Sequence, residues 1–67
     1  MIQIDIVKLQ MNVMKSQKSL RKLAEETGLQ ESLISRAVNH GGRVHLRTVG
    51  RLAAALGVEP QEIVMES

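Results

Sequence analysis

Residues 20–38, LRKLAEETGLQESLISRAV, contain two short helical patterns joined at Gly28, and their spacing decides how the chain folds. In the first, Leu20, Leu23, Ala24 and Thr27 occupy the i, i+3, i+4, i+7 positions of one helical face. Beyond the glycine, Leu33, Ile34, Ala37 and Val38 make the packing face. Ser32, Ser35, Arg36 and Asn39 repeat the same spacing on another side, with Glu31 beside them. No core requires such a polar stripe, so this helix has one side for packing and one for a polar partner.

The surrounding chain extends the pattern. Upstream, Ile6, Val7, Leu9, Met11, Val13 and Met14 cover a broad, continuous arc of a first helix that starts from about Asp5, whose carboxylate can cap it. Ile2 and Ile4 alternate with polar residues, as in a short extended arm. Ser19 supplies the N-cap of the second helix, accepting a bond from the unpaired amides of its first turn. Gly28 ends that helix in the left-handed conformation at little cost. The third helix spans about residues 30–39 and is closed by His40, Gly41 and Gly42.

Leu46, Val49, Leu52, Ala53 and Leu56 predict a fourth helix, stopped by Gly57, with His45 as its cap or as a backbone contact. Gly50 inside it costs about 1 kcal/mol relative to alanine, which points to close approach of another helix. Pro60 behind Glu59 occupies a first-turn position and opens a fifth short helix carrying Ile63 and Val64. Strand signals are too few for a sheet. The expected fold is therefore all-α, five helices in one compact domain over residues 1–67, with the second and third helices as a helix-turn-helix.

Composition limits what such a domain can do. A chain of 67 residues buries roughly 60% of its unfolded surface. Having no cysteine, it has neither disulfides nor thiolate metal ligands to staple it. With no Phe, Tyr or Trp, aliphatic residues and four methionines do the packing, and base stacking on aromatic side chains is excluded. No stretch approaches the roughly 20 apolar residues of a membrane span and no secretory leader is evident, so a cytoplasmic location without membrane contact is expected. Net charge is +2, unevenly distributed. Residues 15–51 hold eight of the nine lysines and arginines but only three of the seven carboxylates, while Glu59, Glu62 and Glu66 mark an acidic tail. The basic middle fits a polyanion, although a charge run is also what any solvated surface displays.

With these residues in place, the chain resembles the Cro and phage-repressor type of helix-turn-helix, the XRE-like family of DNA-binding domains with the lambda-repressor-like fold. Leu23, Ala24, Gly28, Ile34, Ser35 and Arg36 carry the resemblance, followed in register by Ala55, Leu56, Gly57 and Val58, then Pro60 and Ile63. It covers roughly residues 14–64 without a gap. There are three departures. His40 stands where the family usually has glycine, a position histidine can fill at positive φ, and Gly41 follows at once, as if the loop were shifted by one residue. Val13 and Val38 replace an arginine and glutamate pair, a swap that keeps a core intact. Aromatic core residues found in many members are missing.

The resemblance implies a sequence-specific duplex-DNA-binding transcriptional regulator of bacterial or phage origin, a repressor or the antitoxin of a toxin pair, acting as a homodimer. On the polar stripe, Arg36 suits bidentate pairing to guanine, Glu31 can accept from a cytosine amino group, and Gln30 can bond an adenine or cap the helix. Ser32 and Ser35 complete the base-reading set. Lys18, Ser19, Arg21, Asn39 and Arg43 lie at helix ends or in the following loop, where phosphates are gripped. Lys8, Lys15, Arg47 and Arg51 read as ordinary surface. Ile63, Val64 and Met65 form the expected dimer surface, with plain core packing as the competing role.

His40 and His45, flanking a glycine pair without cysteine or a nearby carboxylate, do not make a metal site. No nucleophile, base and oxyanion arrangement can be assembled, so neither catalysis nor a cofactor is expected. The competing function is a protein-interaction module that keeps the fold without reading DNA, motivated by the modest net charge, Glu31 on the reading face and the unusual His40.

Overall fold

In the computed structural model, which describes residues 1–66, the chain runs through β1 (Ile2–Gln3), α1 (Ile6–Ser16), α2 (Leu20–Thr27), α3 (Glu31–His40), β2 (Arg43–Val44), α4 (Leu46–Leu56) and a 3₁₀ turn (Pro60–Glu62). The expected caps form. Asp5 Oδ1 accepts from the Lys8 amide at 3.0 Å, Ser19 Oγ from the Lys22 amide at 3.0 Å, and His45 Nδ1 from the Arg47 amide at 3.1 Å. Each occupies one of the donors that a helix N-terminus leaves unpaired.

Leu9, Leu23, Ile34, Val49, Leu52 and Ile63 lie fully buried at the centre, where α3 packs on α1 and α2 while α4 closes against α2 and the last turn. Val13 and Val38 both pack against this cluster, so the apolar pair does take a place in the core.

Two expectations about the architecture are overturned. Among the described residues there are four α-helices, and the fifth segment is a single 3₁₀ turn. Its start is as expected, with the Glu59 amide donating to Glu62 Oε2 at 2.8 Å, but Ile63 leaves helical geometry at φ −128°. Strand-like bonds compete for the chain at that point. The Asp5 amide donates to Ile63 O at 3.1 Å, the Met65 amide donates to Gln3 O at 2.9 Å, and Ile4 and Val64 form an antiparallel bridge. A three-residue nucleus has no propagation to offset its cost, so the pairing wins.

The second correction concerns a small ribbon where no sheet was expected. β1 and β2 pair antiparallel, Ile2 opposite Val44 and Gln3 opposite Arg43. Four residues give little sequence signal, yet the ribbon ties the N-terminus to the loop after α3, and Ile4 just beyond it is buried in the core.

Finer expectations also change. Only part of the broad apolar arc of α1 is covered: Leu9 is fully buried, whereas Val7, Met11 and Met14 remain exposed because α1 meets its neighbours on one side. Leu46, taken as a packing position of α4, is exposed as well. Among the described residues, a Cβ on Gly50 would meet no atom of another segment within 4 Å; helix approach does not explain this glycine. Among the described residues no helix is long and apolar enough to cross a membrane.

Candidate nucleic-acid interface

Construction of the outward face of α3 begins at the turn before it. Thr27 is a buried polar residue whose hydroxyl donates to Leu23 O at 2.7 Å and accepts from the Leu29 amide at 3.2 Å. One side chain thus closes α2 and steers the chain into α3. Gly28 follows at φ 73°, the left-handed conformation read from the sequence. Gln30 then adopts extended geometry at φ −72°, ψ 140°, and its carbonyl accepts from the Leu33 and Ile34 amides. Its side chain makes no capping bond, so the suggested capping role is not taken and the amide stays exposed.

From there α3 presents two unlike sides. Ile34 and Ala37 are 0% and 2% exposed against α1 and α2. Glu31, Ser32 and Arg36 are exposed and, like Gln30, make no side-chain hydrogen bond or ion pair among the described residues. Glu31 in the first turn also complements the positive end of the helix dipole. Ser35 is half-buried and linked to Asn39, whose Nδ2 donates to Ser35 O at 2.9 Å and to Ser35 Oγ at 3.2 Å. Two residues assigned separately to base and phosphate contact are therefore one bonded unit.

At its far end α3 runs one residue beyond the expected limit. His40 is its last helical residue and needs no positive φ; Gly41 takes that conformation instead, at φ 67°, ψ −121°. A Cβ on Gly41 would fall 2.6 Å from Ile6 Cγ1, so glycine is required there by packing as well as by backbone geometry. The loop is shifted by one residue, and His40 faces solvent beside a surface recess that Arg36 and Arg43 also line.

The flanking cations divide into free and committed groups. Arg21 and Arg43 are exposed, without a side-chain partner among the described residues. Ser19 uses its oxygen to cap α2 and retains a hydroxyl hydrogen to donate. Lys18 is committed within the fold: its Nζ lies 2.7 Å from Glu26 Oε1 and 2.7 Å from Ala55 O, closing the C-terminal end of α4. This pairing holds the Glu26 carboxyl below its ordinary pKa, chiefly through the Lys18 hydrogen bond.

Sequence reading missed Arg51, whose Nη1 donates to Thr27 O at 3.4 Å and so links α4 to the turn. The two residues are 24 positions apart, with no local pattern to pair them.

The Cro/C1-type HTH DNA-binding domain is the family whose model matches, over residues 8–65. No curated protein matches the chain. Among solved structures, the restriction-modification controller protein C.AhdI from Aeromonas hydrophila is similar at 28% identity and a TM-score of 0.77, over 85% of this chain and 86% of that one.

Proposed function

The chain belongs to the Cro/C1-type helix-turn-helix DNA-binding family and is a DNA-binding transcription regulator, not an enzyme; on that premise we propose that it is a repressor that places α3 in the major groove and acts as a homodimer. The observation that carries this reading is the unpartnered outer face of α3. Gln30, Glu31, Ser32 and Arg36 present donors and acceptors that the fold does not use. Base edges in the major groove offer the matching groups. Ser35 joins this set through the oxygen it shares with Asn39.

Ser19, Arg21, Asn39 and Arg43 form the phosphate-gripping set in this reading. Lys18 leaves it, because its ammonium closes α4. The controller role named for the Aeromonas hydrophila protein supports regulation over a purely architectural role.

Size supports two copies. The domain measures 30 × 21 × 19 Å, whereas helices reading successive major grooves sit about 34 Å apart. A single copy presents one such helix. Ile63 is withdrawn from the expected dimer surface, being fully buried in the core. Met65, half-buried Val64 and the exposed Val7, Met11 and Met14 of α1 are among the apolar groups that remain for self-association.

Selection from a random-sequence duplex library, followed by gel-shift measurement, tests the whole reading. A near-palindromic operator is expected; no enrichment at low salt sinks it and favours the protein-interaction alternative. On that operator, Arg36→Ala is expected to cost about 1–3 kcal/mol and to lose preference at one base position per half-site. Uniform weakening would reassign Arg36 to phosphate.

A further inference from the structure

We propose that Leu33 reads the C5-methyl group of a thymine, an assignment that rests on α3 lying in the major groove. The sequence places Leu33 on the packing face with Ile34 and Ala37, and the structure moves it. Ile34 and Ala37 are buried, but Leu33 is only half-buried and stands outside the apolar cluster and the residues packed on it. Its surroundings are those of the reading face. Leu33 and Arg36 line two adjoining surface recesses, one bounded by Gln30 and Ser32 and the other by His40 and Arg43.

A half-exposed leucine bordered by the unpartnered polar side chains of Gln30, Ser32, Arg36, His40 and Arg43, as well as by Ala37 and Val44, gains nothing from water on its exposed half. Within the major groove, the apolar group that can cover it is the thymine methyl. The position relative to Arg36 narrows the site. Side chains three apart on a helix lie about 5–6 Å from each other, and successive bases rise about 3.4 Å along a strand. The thymine read by Leu33 therefore lies within one or two base pairs of the guanine read by Arg36. Leu33 supplies apolar discrimination at one step while Arg36 supplies polar discrimination at the next.

The test removes the methyl from the DNA and leaves the protein intact. Each thymine of the selected operator is replaced in turn by deoxyuridine, which pairs identically but lacks the C5-methyl. For the wild-type chain, one position per half-site is expected to bind about three- to fivefold more weakly, the value of one buried carbon. In Leu33→Ala that position is expected to become indifferent to the methyl, with the helical circular-dichroism spectrum and melting temperature kept. If every uracil substitution is neutral in the wild type, or the penalty persists unchanged in Leu33→Ala, the assignment is overturned while the DNA-reading function stands. Failure to select any operator would instead overturn the underlying reading.

Discussion

At its N-terminal end α3 is set by bonds of short reach. The Thr27 hydroxyl spans from Leu23 to Leu29, Gly28 makes the turn, and the Gln30 carbonyl takes the first helical amides. At its C-terminal end the corresponding contacts come from far along the chain. Gly41 lies against Ile6, the Gly42 carbonyl accepts from the Ile4 amide at 2.8 Å, and Arg43 and Val44 pair with β1. The same helix is thus anchored mainly by local bonds where the proposed base-reading residues begin, with Arg51 to Thr27 O the long-range addition, and non-locally where it leaves them. The local end costs little chain entropy to close, whereas the distal end becomes rigid only when the N-terminal segment docks.

Substitutions at the two ends sharpen this contrast. Gly41→Ala is expected to have the largest effect, about 3 kcal/mol of destabilisation in urea unfolding, because it combines a positive-φ backbone with a clash against α1. Adding Ile6→Ala should recover only the part due to the clash; full recovery would mean the backbone carries no strain. Thr27→Val keeps the shape but leaves the Leu29 amide unpaired, for an expected loss of about 2 kcal/mol by the same measurement. Gly28→Ala is expected to cost about 1 kcal/mol, since the site is left-handed but spacious, with the nearest atom, Arg51 Nη1, at 3.8 Å. An equal cost at Gly28 and Gly41 would erase the distinction between the two ends.

Glu26→Gln is expected to be the mildest change, a small fall in melting temperature, because Glu26 and Lys18 remain about one-third exposed. Its pH signature has a definite sign. The folded carboxyl is lowered from 4.5, so the pair contributes fully above that pH and loses its contribution as pH falls through the lowered value. Melting curves of the wild type and Glu26→Gln should therefore converge on acidification and separate above about pH 4.5. Divergence in acid would reverse the assigned sign.

Legibility in the sequence follows the same division. The Asp5 and Ser19 caps and the turn at Gly28 were readable because each depends on residues within about one helical turn. The polar face of α3 was readable because helical periodicity separates it from Ile34 and Ala37. Leu33 was misplaced because it borders the apolar stripe on the wheel, and only the positions of α1 and α2 decide where coverage stops. Lys18, expected at a phosphate, bonds within the fold for a related reason: its partner is a carbonyl 37 residues away, which no local pattern brings beside it.

The sequence by itself determined the four α-helices, the helix-turn-helix at Gly28 and the polar stripe with Arg36, because periodicity, caps and glycine conformations act over a few residues. Only the tertiary structure decided that the tail becomes a 3₁₀ turn and a β-bridge, that Ile63 belongs to the core, that Lys18 closes α4, and that Leu33 stands among the groups proposed to read DNA. Each of those outcomes depends on which distant segment wins the competition for a backbone bond or a patch of apolar surface, and that competition is settled only when the helices pack.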